Sequence, residues 1–522
     1  MLRRQQSRQK QGRQQQSEET VAQHFDLNAR LRISWLGWAQ TLRQQVDNRL
    51  LTWQLATRRA AIAAAIGLVC ALYLADLTGM GMVTPDEPRY AAIGRSMASS
   101  GDWVTPRLWG DPWFEKPALL YWMTASAFKL GFNPDLAPRL PVALLSLTFL
   151  TFFWWRLRIE WSARVASCST AMLAASAGWL AYSHVAVTDL PLAVFFSAAV
   201  MLSMPWIARQ ERSLLPVAAA CLGFATMAKQ LVPLVLFLPV LAIGWRRWRD
   251  WLRPAPLVAF AVCALPWYIL CTLRNGSEAP RVLFVQQTFS RFTSAALQHV
   301  QPWWFYLPVL LLLLYPWFPL LVLFPARSPR DPRVRALTAI VAFGFVFFSA
   351  SLNKLPGYLL PLMPATFALI GIGLDRAKRP GALMVGPIAL VGLLPYISRI
   401  APAVLAHGFR SVKIPWQEPL LWLIAGGIAG GILALFGPRF TVGAAAALAG
   451  AGLLWFQVAT FPEFDAAASA RPLWLAGHPH CAPNLTRGLL YGLNYYAERQ
   501  LPPCPPGEPN SKEPAVIRRL IE

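Results

Sequence analysis

The sequence predicts an all-α polytopic membrane protein, and three observations lead to that prediction. Of the 522 residues, 56% are hydrophobic and only 14% are charged, which is too apolar for an ordinary soluble protein of this size. Apolar runs of about 18–22 residues recur as far as residue 459, and such runs can cross a hydrocarbon core roughly 30 Å thick. The runs lack the two-residue alternation of membrane strands, so we expect helices and not a barrel.

Residues 1–59 form a polar arm that is rich in Gln and Arg. Between residues 27 and 55, leucines and tryptophans recur at roughly helical spacing and alternate with arginines. This pattern predicts an amphipathic helix on the cytoplasmic leaflet, where basic side chains meet anionic lipids. A disordered basic tail fits residues 1–20 better.

Residues 60–459 are predicted to form a transmembrane domain of about thirteen helices. The spans are placed near residues 60–82, 138–155, 163–182, 189–207, 213–228, 230–245, 254–272, 303–325, 336–352, 357–374, 381–398, 419–436 and 440–459. Arginines and lysines concentrate in alternate short loops, so the positive-inside rule places the amino terminus in the cytoplasm. The net charge of +23 is therefore interpreted as topology and not as a nucleic-acid-binding surface.

An odd number of spans places the carboxy-terminal segment, residues 460–522, on the periplasmic side. Of seven cysteines, only Cys481 and Cys504 lie well away from the apolar runs. If that compartment is oxidising, we expect these two residues to form a disulfide. No CxxC pair or Cys/His cluster indicates a zinc or redox site.

Two segments outside the bilayer, residues 83–137 and 273–302, are too long to be simple connectors. In the first, Asp86 and Glu87 precede Pro88, and Glu115 and Lys116 precede Pro117, so acids lie where helices are predicted to begin. A helix amino terminus with a lysine beside it can bind phosphate. The alternative is that the acids only cap helices and that Lys116 only pairs with Glu115.

A third acid, Asp189, lies at the outer end of the fourth predicted span. Ionisable groups close to lipid are costly and usually functional, although a simple helix cap is the alternative. The same face receives several further polar groups, namely Lys229, Arg291, Lys354 and Tyr358. Cations suit a lipid-borne phosphate, and a nearby carboxylate can accept a proton from a hydroxyl nucleophile. For Arg291 or Lys354 alone, snorkelling at the interface is the simpler interpretation.

Eight motifs together resemble the bacterial aminoarabinose-transferase branch of the protein-mannosyltransferase superfamily. They are DEPRY at 86–90, SGDWVTPRL at 100–108, FEKPALLYW at 114–122, RLP at 139–141, TDLPL at 188–192, FSRF at 289–292, PWWFYLP at 302–308 and NKLPGYLLPLMPA at 353–365. The resemblance covers residues 60 to about 375 and implies a GT-C glycosyltransferase of the bacterial inner membrane. Such an enzyme takes a sugar from undecaprenyl phosphate, with lipid A as the typical acceptor.

The resemblance also implies roles for individual residues. Asp86 matches the first-loop acid that acts as a base or orients the acceptor, and Asp189 matches the second essential acid. Glu115 and Lys116 match the Glu-Lys pair of the active site. Lys116, Arg291 and Tyr358 would hold the polyprenyl phosphate. Further substrate-binding candidates are Arg89, Lys229 and Lys354.

The sequence departs from the family pattern at two places. Gln287 and Thr288 stand where many relatives carry an acid-His pair, so the cofactor is left unknown and a divalent metal is left open. Gln230 follows Lys229 where glycine is common. A protein O-mannosyltransferase-like enzyme and a polyprenyl-linked sugar flippase are the alternative functions, but transport of an anionic lipid does not require three acids on one face.

Overall fold

The computed structural model describes residues 59–289, 300–324, 330–407 and 417–505, with a few single residues outside these ranges. The amphipathic helix predicted over residues 27–55 falls largely on residues that are not described. The chain divides into two compact units, Met1–Gly67 and Leu68–Glu522. All the predicted site residues belong to the second unit.

The first half of the described chain contains ten helices and one small hairpin. The helices are α1 (Leu55–Leu74), α2 (Asp86–Ser100), α3 (Leu119–Lys129), α4 (Leu140–Glu160), α5 (Ala163–Ala174), α6 (Ala177–Ser183), α7 (Asp189–Arg209), α8 (Leu215–Lys229), α9 (Val232–Ile243) and α10 (Pro254–Asn275). Two antiparallel strands, β1 (Arg107–Leu108) and β2 (Asp111–Pro112), pair between α2 and α3 with Arg107 opposite Pro112. A 3₁₀ segment, Trp245–Leu252, links α9 to α10.

The second half continues with shorter and more interrupted helices. They are α11 (Glu278–Pro280) with a π-helical turn (Arg281–Phe289), α12 (Tyr306–Leu313), α13 (Pro332–Ala350), α14 (Met363–Arg376), α15 (Pro380–Leu383), α16 (Val385–Val391), α17 (Leu394–His407), α18 (Gln417–Ala434), α19 (Pro438–Ala468), α20 (Arg471–Gly477) and α21 (Arg487–Tyr496). A 3₁₀ turn, Pro356–Leu362, leads directly into α14.

Every predicted span overlaps a helix, but not every helix has spanning length. Within the described ranges, eight helices are long and apolar enough to cross a membrane, and a bent pair over residues 380–405 would make nine. Three further spans correspond to shorter apolar helices, and the predicted span 163–182 is divided into α5 and α6. The exact number of thirteen stays a prediction.

Local backbone features explain the shorter helices. The run from residue 213 to 245 is interrupted after Lys229, because Gln230 adopts φ 38° and ψ −126°, which no helix can continue through. Pro316 lacks the N–H that a helix through residues 303–325 would need, so α12 ends at Leu313. Conversely, α19 continues to Ala468, beyond the predicted limit of residue 459.

The core of the membrane domain is formed around α7 and the continuous turn and helix from Pro356 to Arg376. In each of these segments 94% of the most apolar stretch is buried inside the protein. Helix α7 packs against α4, α8 and the turn that precedes α14. Burial on all sides explains why both sequences are apolar all round instead of amphipathic.

One fully buried glutamate, Glu87, links the start of α2 to the segments that precede α4 and α7. The carboxylate of Glu87 accepts from Arg139 Nε at 2.7 Å and Nη2 at 2.8 Å, and also from the backbone N–H groups of Val83 and Ala186. Arg139 donates in turn to backbone carbonyls between residues 77 and 81. Each buried charge therefore has an opposite charge and further hydrogen bonds, which is the condition for keeping it inside a protein.

The carboxy-terminal segment docks against the first long loop. Tyr496 Oη donates to Asp135 Oδ1 at 2.8 Å, and Tyr495 Oη donates to the Pro134 carbonyl at 2.7 Å. Cys481 and Cys504 are joined by a disulfide with their Cα atoms 4.9 Å apart. Helix α21 also lies beside α2, since Arg95 donates to the Tyr495 carbonyl at 3.1 Å.

Candidate active site

The first two acids of the site are joined by one arginine. Arg89, in the first turn of α2, forms ion pairs with Asp86 and, through Nη1 at 2.8 Å, with Glu115 Oε2. Glu115 Oε1 also accepts from Lys116 Nζ at 3.0 Å. Arg89, Glu115 and Lys116 are buried, whereas the Asp86 side chain is 36% exposed. Asp86 is therefore the acid of this group that is most accessible to an incoming substrate.

The third acid forms a second group of charged residues. Asp189 is the first residue of α7, and its Oδ1 lies 2.7 Å from Lys229 Nζ at the end of α8. The Lys229 ammonium also lies 4.3 Å from the centre of the Tyr358 ring. The N-cap of α7 is Thr188, and no side chain makes a capping hydrogen bond there. The carboxylate of Asp189 is thus used as the partner of a lysine and not as a simple helix cap.

Gln230 connects the two groups. Its Nε2 donates to the Glu115 carbonyl at 3.0 Å, and its neighbour Lys229 holds Asp189. Gln230 adopts a positive φ that glycine adopts more readily, so the backbone next to Lys229 is strained. Tyr182, on α6, lies within electrostatic range of both Asp86 and Asp189. All three predicted acids therefore belong to one continuous cluster.

Aromatic rings surround the Arg89 guanidinium. The rings of Tyr90, Trp113 and Tyr491 have their centres 5.8, 5.6 and 5.2 Å from its central carbon. Burial lowers the pKa of Arg89, but Glu115, Tyr90 and Asp86 outweigh it, so the pKa is raised and the side chain stays charged. Burial, reinforced by the carboxylates of Asp86 and Glu115, raises the pKa of Tyr90, which stays a neutral phenol.

The cluster is balanced in charge. The carboxylates of Asp86, Glu115 and Asp189 face three cations, Arg89, Lys116 and Lys229. Among the described residues, no three His, Cys, Asp or Glu side chains come together as metal ligands.

Not every predicted site residue belongs to this cluster. Lys354 Nζ donates to the carbonyls of Gln301, at 3.0 Å, and Ser351, so it joins the backbone before α12 to the backbone after α13. Arg291 lies outside the described residues. The sequence predicted that α3 begins at Pro117, but it begins at Leu119, with Ala118 as its N-cap and the Ala118 carbonyl accepting from the Trp122 N–H.

Several residues at the site have no obvious signal in the sequence. Trp113, Tyr182 and Tyr491 are single aromatic residues in segments where aromatic residues are common. Tyr491 is about 400 residues from Arg89 along the chain, so only the docking of α21 on α2 brings it to the site. Gln230 differs from these residues, because the sequence already marked it as a departure from the family pattern, in which glycine is common at that position.

Several known proteins are similar to this chain in sequence or in fold. The family described as dolichyl-phosphate-mannose-protein mannosyltransferase matches residues 60–275. An undecaprenyl phosphate-alpha-4-amino-4-deoxy-L-arabinose arabinosyl transferase of Pseudomonas paraeruginosa is 30% identical over 452 residues, which cover 83% of this chain and 80% of that protein. A second transferase of the same name, from Pseudomonas fluorescens, is 31% identical over 74% of this chain and 69% of its own length.

A solved structure shares the fold. It is the crystal structure of ArnT from Cupriavidus metallidurans bound to undecaprenyl phosphate, with a TM-score of 0.67 and 25% sequence identity. The match covers 86% of each chain. The chain described here therefore has the all-α GT-C architecture across most of its length.

Proposed function

Because this chain belongs to the family of undecaprenyl phosphate-aminoarabinose arabinosyl transferases, we propose that it is a membrane glycosyltransferase that moves a sugar from a polyprenyl-phosphate donor to lipid A. The names of the relatives favour 4-amino-4-deoxy-L-arabinose as that sugar. The observation that supports the proposal most directly is the single cluster formed by Asp86, Glu115 and Asp189 with their three cations. These acids lie far apart in the sequence and come together only in the folded protein.

The donor phosphate is assigned to the cations of the cluster. Lys116 and Lys229 are both buried, and each is paired with a carboxylate. An oxygen of the donor phosphate can replace that carboxylate as the partner of the lysine, or bind to the lysine beside it. The Tyr358 ring packs on the Lys229 ammonium and fixes its position. Arg291 is assigned to the same phosphate from the family pattern alone.

The proposed reaction is a single displacement at the anomeric carbon. An oxygen of the acceptor forms a bond to that carbon, the bond from the carbon to the donor phosphate breaks, and its electron pair stays on the departing polyprenyl phosphate. The cations stabilise that charge in a site with little water. A phosphate acceptor is already ionised, so Asp86 then orients it, whereas a hydroxyl acceptor needs Asp86 as a base.

Location and orientation are part of the proposal. The apolar helices make the chain a multi-pass membrane protein, and the family pattern favours the bacterial inner membrane. The distribution of arginine and lysine supports a cytoplasmic amino terminus and an active site on the periplasmic face. The disulfide between Cys481 and Cys504 is consistent with an oxidising compartment for the carboxy-terminal segment.

The test is sugar transfer from purified polyprenyl-phosphate aminoarabinose to lipid A in detergent or vesicles. Asp86→Asn and Asp189→Asn should each lower kcat by about a hundredfold or more, because both carboxylates act on the acceptor or the departing phosphate. Lys116→Ala should raise the KM for the donor, because a contact to its phosphate is lost.

Matched controls are available in the same loop. Asp111 and Lys129 are exposed, so Asp111→Asn and Lys129→Ala should leave kcat and the KM for the donor unchanged. Thermal unfolding of each variant separates lost function from lost folding. Near-normal transfer by both Asn variants would show that the acids only hold the helices together, and the catalytic assignment would be withdrawn.

A further inference from the structure

The short 3₁₀ segment between α9 and α10 carries charges that the active site does not use. Its residues, Trp245–Leu252, have the sequence WRRWRDWL, and Arg253 follows directly. A 3₁₀-helix has about three residues per turn, so side chains three positions apart lie in one row. The segment therefore has three rows, namely a tryptophan row of Trp245, Trp248 and Trp251, an arginine row of Arg246, Arg249 and Leu252, and an inner row of Arg247, Asp250 and Arg253.

The inner row fixes the segment to the protein. The Asp250 side chain is buried, accepts from Trp206 Nε1 at 3.1 Å and pairs with Arg212 Nε at 2.9 Å. The Arg247 guanidinium lies 5.8 Å from the centre of the Trp206 ring. Trp251, at the end of the tryptophan row, packs edge-on against the same ring, with the two ring centres 5.9 Å apart. One side of the segment is therefore held against the end of α7, which sets its orientation.

The other two rows are exposed over most of their length. Trp245 is 65% exposed, Trp248 is 48% exposed, and Leu252 at the end of the arginine row is 51% exposed. Arg246 and Arg249 are exposed as well. The carboxylate of the segment is on the inner row, and these two arginines form no ion pair within the described part of the chain. Apolar surface therefore lies alongside positive charge that no carboxylate balances.

The segment lies at the end of the membrane domain that is remote from the active site. Trp206, which contacts it, and Asp189 are near opposite ends of α7, roughly 25 Å apart. Directly after the segment, the first turns of α10 expose Leu257, Val258 and Val262. Only 22% of the most apolar stretch of α10 is buried inside the protein, so this helix faces the hydrocarbon of the bilayer. The segment is therefore placed where that hydrocarbon meets water.

This combination of side chains suits one kind of ligand. Tryptophan rings are favoured where lipid head groups meet acyl chains. Arginine binds phosphate oxygens through parallel N–H donors, and each basic side chain close to an anionic membrane surface strengthens the attraction. A soluble phosphate compound leaves the tryptophan row and Leu252 exposed to water. A lipid without net charge leaves the positive charge of the arginine row unbalanced.

We infer that Trp245–Leu252 is a binding site for an anionic phospholipid in the leaflet on the far side from the active site. The phosphate of the lipid contacts Arg246 and Arg249, and its acyl chains lie along the tryptophan row and the apolar start of α10. The site is separate from the transfer reaction, so the inference does not depend on the proposed function. The bound lipid holds the junction of α9 and α10 at a fixed depth in the membrane.

The test identifies lipid contacts at the segment itself by photocrosslinking. Full-length protein is placed in phosphatidylcholine vesicles that contain a small fraction of photoreactive phosphatidylglycerol or, separately, of photoreactive phosphatidylcholine, and the labelled peptides are identified by mass spectrometry. The peptide that contains Trp245–Leu252 should be labelled about tenfold more by the anionic lipid, because each basic residue near an anionic head group contributes about fivefold to binding. In the double variant Arg246→Gln and Arg249→Gln, this preference should fall to about twofold or less.

Matched variants separate the charge of this segment from the charge of the whole protein. Arg376→Gln combined with Arg379→Gln removes the same charge from another exposed loop that is predicted on the same side, and should keep the preference. Trp245→Ser combined with Trp248→Ser should lower labelling of the segment by both lipids to a similar extent, because contact with the acyl chains is lost while the arginines remain. Trp155→Ser, at an exposed position of α4, should leave the labelling unchanged.

Absent or equal labelling of the wild-type segment by the two lipids would overturn the site, as would a full preference after removal of both arginines. An equal loss of preference in the Arg376 and Arg379 variant would show that overall charge selects the lipid, and would also overturn it. Glycerol 3-phosphate at millimolar concentration should not reduce the labelling. If it does, the ligand is a soluble phosphate compound and the assignment to a lipid is wrong.

Discussion

Asp189 is packed against a glycine that leaves no room for a side chain. A Cβ atom added at Gly357 would lie 2.8 Å from Asp189 Cγ and Oδ1 and 2.8 Å from Tyr182 Cε1. We predict that Gly357→Ala displaces the Asp189 carboxylate from Lys229 and lowers kcat between about tenfold and a hundredfold, since small displacements of reacting groups are costly. Steady-state transfer assays measure this directly.

The control for that variant is Gly427→Ala. Gly427 lies within α18, and an added Cβ there meets nothing within 4 Å. Alanine is also a better helix former than glycine, so this variant should keep full activity and equal or slightly higher stability. If Gly357→Ala retained normal kcat, the close packing around Asp189 would have no catalytic importance.

At the scale of single residues, the charged residues of the site could be predicted from the sequence, but the residues with which they form ion pairs could not. Asp86, Glu115 and Asp189 stand out because acids beside apolar spans are rare. The ion pair between Lys229 and Asp189 could not be predicted, because the two residues lie on different helices and meet only through packing of α7 against α8.

The far end of α7 carries a different cluster of charges, which joins three helices. Glu160, at the end of α4, is fully buried and accepts from Arg156 at 2.7 Å, from Arg209 at 3.0 and 3.1 Å, and from Arg333 at 3.3 Å. Helix α7 has 21 residues and so separates this cluster from Asp189 by roughly 30 Å. It should therefore affect stability and not catalysis.

We predict that Glu160→Gln destabilises the protein by about 3 kcal/mol, because it removes the carboxylate that faces the buried guanidinium of Arg156. Thermal unfolding in detergent should show a clear decrease in midpoint, while kcat below that temperature stays normal. Glu211→Gln is the control, because Glu211 is half exposed and its ion pair with Arg209 lies at the surface. Equal midpoints for the two variants would contradict the importance of the buried cluster.

At the scale of elements, helix positions could be predicted and helix ends could not. The length of the apolar runs in the sequence identifies where α4, α7, α10 and α13 lie, because each of these helices is a single apolar run. The division of residues 213–245 into α8 and α9 depends on the backbone of Gln230. The start of α3 at Leu119 leaves Glu115 and Lys116 outside the helix. Neither feature is encoded in local hydropathy.

For the whole molecule, we predict that the two ends of the chain lie on opposite sides of the membrane. The reason is the concentration of arginine and lysine in alternate short loops together with an odd number of spans. Compartment-specific reporters fused after residues 20 and 515 should give opposite signals, with reporters in the 210–212 loop as a cytoplasmic reference. Identical signals from the two ends would contradict the proposed number of spans.

The stacking of Tyr491 on Arg89 has a consequence for the time course of biosynthesis. The two residues are separated by about 400 positions, and a bacterial or eukaryotic ribosome adds roughly 5–20 residues each second. A nascent chain therefore carries Arg89 for tens of seconds before the ring that covers it has been translated. Because α21 must then fold onto α2, we expect a newly inserted polypeptide to remain inactive until translation has passed residue 491, which delays catalysis until the late stages of assembly.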